Sequence, residues 1–398
     1  MRILICSIVD LEQSSNNRLH NIINHLKIHH EVIVVSIADH WKKNQDKHQI
    51  FQEDSLKTIR GVKIIHFTEK KISPIFQELF SLLTLPFVIR KFKLQSIDCF
   101  INYNSIISGW FLTLYYKKRG IKILFDLADD LVGLIKESPQ IPAFLRFFAG
   151  IFGKFFVNYN IRNSSIITVT AQSLSKYLKI DKLDKTVIIP NGVDVKHFER
   201  VIPNHGLRGS LRLDRNFVVG YVGALREWID FGPLFLAVKR LIQEGKNMKI
   251  VIAGKEGYYQ ENIALAKDVG LRVNKDIYFL GSCSYNDVPG VMKIFHAGVI
   301  PFKNNRITQN SLPLKLFEYG ACGISIISTP LQEVRTIASD EILYAEKESE
   351  YFDILSQLYN EYQSGAASLS KNYGFIKCYD WSCIGDQYNA LINENKQI

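Results

Sequence analysis

The chain alternates short runs of Ile, Val and Leu with longer stretches in which apolar residues return every three or four positions. Ile3–Ile8 is the first run, and Leu19, Ile22, Ile23 and Leu26 then mark one helix face. Further strands are predicted at Glu31–Ile37, Val62–Phe67, Ile97–Ile101, Ile121–Phe125, Ser165–Val169 and Val187–Ile189, with a helix from Ser105 to Lys118. Strands that are apolar throughout, separated by helices, indicate a parallel sheet covered on both faces.

A second series begins at Phe217. Its predicted strands are Phe217–Val222, Lys249–Ala253, Ile277–Leu280, Gly298–Phe302 and Ile324–Ser328. Between the series lies Pro190–Gly209, rich in turn formers, in which Asn191 and Gly192 read as an interdomain hinge. A last helix, near Asp380–Ile392, places Trp381, Ile384, Tyr388 and Leu391 on one face. The predicted architecture is α/β, with two doubly wound Rossmann-like domains facing a cleft. Residues 1–190 and 191–375 form the two domains, and residues 376–398 carry the final helix.

The 398 residues suit two cores. The six cysteines are scattered, with no C-x-x-C pair, which favours a reducing compartment. The N-terminal MRILICSIVD reads as a strand rather than a signal peptide, and no run is long enough to span a membrane. Charge is uneven. Residues 1–190 hold 26 Lys and Arg against 16 Asp and Glu, whereas residues 191–398 hold 23 of each. The first half therefore suits an anionic partner. Its cations are dispersed and form no recognition motif, which argues against nucleic acid.

Ligands of doubly wound folds sit beyond the carboxyl ends of strands. Pro313–Gly323, P-L-K-L-F-E-Y-G-A-C-G, follows such a strand. A helix starting near Leu312 would aim its N-terminus at the ligand, where free N–H groups and the dipole favour phosphate. Lys315 in the first turn opposes that dipole unless a phosphate neutralises it. Glu318, three residues on, lies on the same side and could accept from both hydroxyls of a ribose. The alternative is a solvated Lys–Glu pair.

This segment resembles the donor-site motif of the large retaining GT-B glycosyltransferase family, and is nearest to the polysaccharide-assembly branch of teichuronic-acid and xanthan-type enzymes. In that family a Glu, seven residues and a second Glu precede A-x-G-x-P-V. Glu318 matches the second Glu, which binds the donor ribose. Asn310 stands where the first would be, and Ser325 replaces the Pro. The resemblance implies that Pro313, Lys315, Glu318 and Asn310 contact the donor. Val219–Asp230 is similar to the family's first strand and turn of the donor domain, which implies that Gly223 lets backbone N–H groups approach the diphosphate. Ala224 replaces the family's Arg there, and Arg226 is the nearest cation. Gly281 ends the strand that lines the base pocket. Pro190–Asp194 matches the hinge, and Tyr379–Trp381 the start of a helix crossing back to the N-domain.

In the first half, Asp126, Asp129 and Asp130 follow the strand Ile121–Phe125. A carboxylate there takes a proton in an inverting transfer or orients the acceptor in a retaining one, and Asp126 and Asp130 are the catalytic candidates. N-capping by Asp129 or Asp130 is the alternative. The resemblance implies no metal and no cofactor. Where many relatives carry Gly-Gly, the first loop has Ser14, Ser15, Asn16 and Asn17.

Pro74–Lys93 and Pro142–Arg162 mix Phe and Leu with Lys and Arg at helical spacing. Such segments suit a membrane interface, with Phe147, Phe148, Phe155 and Phe156 inserted, or they pack on the sheet. The expected protein is a glycosyltransferase, of hexoses by preference. It moves sugar from a nucleotide-sugar donor to a glycan or lipid-linked acceptor in cell-surface polysaccharide assembly. It would be cytoplasmic and peripheral on the inner face of an anionic cell membrane. A nucleotide-sugar 2-epimerase and a non-catalytic glycan-binding subunit are the rivals.

Overall fold

The structure is a computed structural model describing every residue except 13, 15, 39–58, 69–71, 139–140, 256, 339, 366–370 and 395–398. Ser15 of the first loop thus lies outside the described residues. The chain divides into two units, Met1–Pro190 with Trp381–Ile398, and Asn191–Asp380.

The first unit is built on a parallel sheet of β1 (Arg2–Ser7), β2 (Glu31–Ser36), β3 (Lys63–His66), β4 (Cys99–Tyr103), β5 (Lys122–Leu127), β6 (Ile166–Val169) and β7 (Thr186–Ile188), in the order β3-β2-β1-β4-β5-β6-β7. Strand interiors are buried without alternation, as both-face coverage requires. Leu4, Ile33, Phe100, Leu112 and Tyr116 belong to one of its cores.

The second unit repeats the plan with β8 (Phe217–Val222), β9 (Met248–Ala253), β10 (Ile277–Gly281), β11 (Ala297–Ile300), β12 (Ser325–Ser328) and β13 (Leu343–Tyr344), ordered β10-β9-β8-β11-β12-β13. In both sheets the strand order reverses beside the first strand, between β1 and β4 and between β8 and β11. Such switch points open a crevice at the strands' carboxyl ends. Only two residue pairs join β8 to β11, Ala297 with Val219 and Gly298 with Gly220, so the strands diverge beyond them.

The terminal helix Trp381–Asn393 belongs to the first unit, while the 3₁₀ turn Gly374–Tyr379 belongs to the second. It buries Trp381, Ile384, Gly385, Tyr388 and Ile392 and packs on the helix Arg18–Leu26. Gly385 permits that approach, since a β-carbon there would stand 2.3 Å from His25 Cγ. At the other end Lys122 Nζ donates to the carbonyls of Leu391 and Ile392 at 2.7 and 3.0 Å. A cation there suits the negative end of the helix dipole. All six cysteines are free thiols. Among the described residues no helix is long and apolar enough to cross a membrane.

Candidate functional site

The carboxyl ends of β8, β9 and β10 carry glycines in conformations that disfavour side chains. Gly223 follows β8 at φ +152°, Gly254 follows β9 at φ +154°, and Gly281 ends β10 at φ +75°. Gly223 N donates to Ala253 O at 2.8 Å and Gly254 N to Gly281 O at 2.6 Å, so the three strand exits are laced together. A β-carbon on Gly254 would stand 1.9 Å from Gly223 O, and one on Gly257 2.1 Å from Leu225 O. Only glycine fits either place. Sequence reasoning passed over Gly254 and Gly257. A glycine straight after a predicted strand, in A-G-K, was the available signal.

Above Gly223 lies the helix Leu314–Cys322. Pro313 is its N-cap and supplies no side-chain cap, so the first-turn N–H groups have no side-chain acceptor there. Lys315 Cε stands 3.0 Å from the position of a Gly223 β-carbon. Lys315 Nζ donates to Glu318 Oε2 at 2.5 Å, with both side chains largely buried. A cation, a carboxylate, a helix N-terminus and a bare backbone turn are thus gathered at the exit of β8. Tyr319 holds them in place. Its hydroxyl accepts from Val222 N at 3.3 Å and donates to Val299 O at 3.4 Å, bridging the strands where they diverge.

Other predicted donor residues have visible local work. Arg226 is exposed, three residues beyond Gly223. Asn310 Nδ2 donates to Arg306 O at 2.8 Å and closes the short helix Arg306–Gln309. Its amide nitrogen is therefore committed to the backbone. At the unit boundary, Asn191 Nδ2 donates to Leu312 O at 2.8 Å, tying the first residue of the second unit to the loop before the donor helix. Gly192 beside it is buried.

In the first unit both predicted catalytic carboxylates have structural partners. Asp126 is fully buried, and its carboxylate takes Arg18 Nε at 3.3 Å, Arg18 Nη2 at 3.5 Å and Tyr388 Oη at 3.0 Å. Arg18 Nη1 also donates to Pro190 O at 2.6 Å. A carboxylate so enclosed joins β5, the first helix and the terminal helix, and Arg18 extends the link to Pro190. Asp130 is the N-cap of the helix Leu131–Glu137, with Oδ1 accepting from Gly133 N at 2.9 Å. Of the three carboxylates Asp129 is the exposed one, and Asn104 Nδ2 donates to its Oδ2 at 3.0 Å.

The structure also forms a group that distance in the chain conceals. Asp10, Glu12 and His66 place possible metal-ligand atoms within 4.8 Å of one another, and His66 Nε2 lies 3.0 Å from Glu12 Oε2. They stand at the exits of β1 and β3 in the first unit.

Residues 216–361 match the family model described as Glycosyl transferases group 1. The Bacillus subtilis (strain 168) protein TuaH, a teichuronic acid biosynthesis glycosyltransferase by name, is 24% identical over 183 residues. That alignment takes in 43% of this chain and 42% of TuaH, so the matched part spans less than half of the relative. Among solved structures, Anabaena Alr3699/HepE in complex with UDP-glucose superposes with a TM-score of 0.71 at 16% identity, covering 98% of this chain and 99% of that one. Sucrose-phosphate synthase from Thermosynechococcus elongatus gives 0.71 at 15% identity and 98% of both chains. The fold is that of these GT-B structures. Within it, the second unit carries a group 1 glycosyl transferase domain that includes β8 to β13.

Proposed function

We propose that the protein moves a sugar from a nucleotide-sugar donor held by the second unit to a glycan or lipid-linked glycan acceptor received by the first. The observation that carries this is the Lys315–Glu318 pair above Gly223, inside the group 1 domain. UDP-glucose in the HepE structure and the teichuronic acid role in TuaH's name support the same reading.

The two side chains hold each other until a nucleotide arrives. The diphosphate then draws Lys315, the bare helix N-terminus and the backbone at Gly223, while Glu318 is released to the ribose hydroxyls. Arg226 adds a second cation. Departure of the diphosphate is assisted by positioning and charge neutralisation, without a metal or other cofactor. On the acceptor side Asp129 orients the attacking hydroxyl. The work is cytoplasmic, at the inner face of the cell membrane, in surface polysaccharide assembly.

The test is incubation of the purified protein with a panel of nucleotide sugars, UDP-glucose included, with and without lipid-linked and soluble glycan acceptors. Acceptor-dependent release of nucleoside diphosphate with a lengthened glycan is the expected result. An epimerised donor would make the protein a 2-epimerase. Nucleotide binding without turnover on any acceptor would make it a non-catalytic subunit.

A further inference from the structure

We propose that the helices Pro74–Lys91, Ile107–Lys117 and Ala143–Asn163 together form one docking face that lies in the headgroup region of an anionic bilayer. Only its purpose, meeting a lipid-linked acceptor, rests on the proposed glycosyltransferase activity.

The three helices share one side of the first sheet. The chain steps from β3 to β4, β5 and β6 in a single direction along the strand order, and right-handed crossovers then put every connection on the same face. Direct contacts agree. Glu78 Oε2 accepts from Ile107 N at 2.9 Å and Ser108 N at 3.1 Å, and its Oε1 accepts from Ser108 Oγ at 2.6 Å, so one helix caps the next. Trp110 in turn meets the rings of Phe156 and Tyr159 at 5.3 and 6.1 Å. Phe156 is therefore packed inward and does not belong to the exposed set.

The polarity of the two outer helices is inverted over their N-terminal parts, while their C-terminal parts bury Leu85, Val88, Ile89, Val157 and Ile161. Pro74–Lys91 buries Gln77, Glu78 and Ser81 in its first half, while Phe76, Leu79, Phe80, Leu83 and Phe87 recur outward every three or four residues. Phe87 is 79% exposed and Leu83 68%. The inward Gln77 is satisfied by backbone, donating to Ala38 O and accepting from Ala38 N. Ala143–Asn163 buries Gly150 and Gly153, then Val157, Asn160 and Ile161 toward its end, and exposes Phe144, Phe147, Phe148, Ile151, Phe152 and Phe155. Its glycines lie on the side packed against the helix Leu131–Glu137, where a β-carbon on Gly150 would stand 2.7 Å from Lys136 Cε and one on Gly153 2.5 Å from Ile135 Cδ1. A soluble helix turns its apolar stripe inward. Two helices that flank a third and turn part of that stripe outward mark an interaction surface.

Charge selects the occupant. The three helices contain one acidic residue, the buried Glu78, against Arg90, Lys91, Lys117, Arg146, Lys154 and Arg162. A second copy would bring the same cations against themselves, whereas anionic lipid complements them, and aromatic residues mixed with cations suit the interface. The helices lie on the bilayer, since none is able to cross it.

The test is co-sedimentation of the full chain with phosphatidylcholine vesicles, with and without phosphatidylglycerol, across salt concentrations. Partitioning should rise with phosphatidylglycerol and fall with salt. It should drop about tenfold or more in the variant Phe144→Ser, Phe147→Ser, Phe148→Ser and Phe152→Ser, and also in Lys154→Glu with Arg162→Glu. UDP titration of each preparation reports on the second unit independently, and circular dichroism confirms that each variant is folded. Wild-type protein that stays in the supernatant on strongly anionic vesicles at low salt overturns the docking face, whatever the UDP result. So does a concentration-dependent dimer broken by the Phe variant, which would give the face to a second copy. Vesicle binding without UDP binding would instead overturn the donor reading and leave the face standing.

Discussion

The ring of Tyr319 lies so close over Gly298 that a β-carbon there would stand 2.8 Å from three of its carbons. This contact lets the Tyr319 hydroxyl reach between β8 and β11 and satisfy Val222 N and Val299 O where the strands diverge. Tyr319→Phe keeps the ring and removes the bridge. It should cost the second unit about 1–3 kcal/mol, the usual loss when buried polar groups are left unpaired. Gly298→Ala should cost a similar amount by overpacking. Denaturant titration reads both, and unchanged midpoints would show that the bridge contributes nothing.

Glu318→Ala should weaken binding of a nucleoside diphosphate by about 1.5–3 kcal/mol, the worth of a hydrogen bond to a charged group. The side chain is largely buried beside Lys315, whose Cε lies against Gly223. Calorimetric titration of UDP against both proteins measures the difference. Equal affinities would take the ribose contact away from Glu318.

Those two side chains were legible in the sequence because they stand three positions apart on a helix, and helix geometry alone puts them on one side. The strands were legible for a related reason: parallel strands buried on both faces read as continuous apolar runs, and β8 has the bounds expected of it. β13 was not, because two residues carry no period. The partners of Asp126 were not legible for a reason of distance. The residues that enclose it, Arg18 and Tyr388, lie 108 and 262 positions away, and no local pattern announces them. Asp10, Glu12 and His66 are hidden likewise. For the Phe-rich helices composition was plain but direction was not. In Ala143–Asn163 the side that packs on the helix Leu131–Glu137 is marked by Gly150 and Gly153, whose spacing of three residues was the overlooked signal.

Turnover should persist in EDTA. The proposed donor groups are Lys315, Arg226 and a helix N-terminus, which neutralise a diphosphate without a metal. Loss of activity on chelation, restored by Mg²⁺ or Mn²⁺, would reverse this. The variant His66→Gln then locates the metal: if its activity no longer responds to added metal, the group of Asp10, Glu12 and His66 is the site.

Stability of the second unit should fall on mild acidification, and His296 is the group responsible. Its ring is buried, stacked 4.9 Å from Phe217, with Nδ1 accepting from Val218 N at 2.8 Å. Nδ1 can accept only while it carries no proton, so the fold requires the neutral ring. Burial first, and the nearby Arg208 charge second, lower its pKa from 6.5 to about 4. Above pH 6.5 the ring is neutral folded or unfolded, and stability does not depend on its titration. Between 6.5 and about 4 the unfolded chain takes up the proton and the folded one resists, so stability is lost as pH falls through this window. The full loss is on the order of 3 kcal/mol, at 1.36 kcal/mol per pKa unit. Denaturant titrations at pH 7.5 and at intervals down to pH 4.5 follow it, with His296→Gln as the comparison. Gln offers a side-chain oxygen for Val218 N and has no proton to gain. The variant should start less stable and decline less over the same interval, and parallel declines would assign the acid sensitivity to other groups.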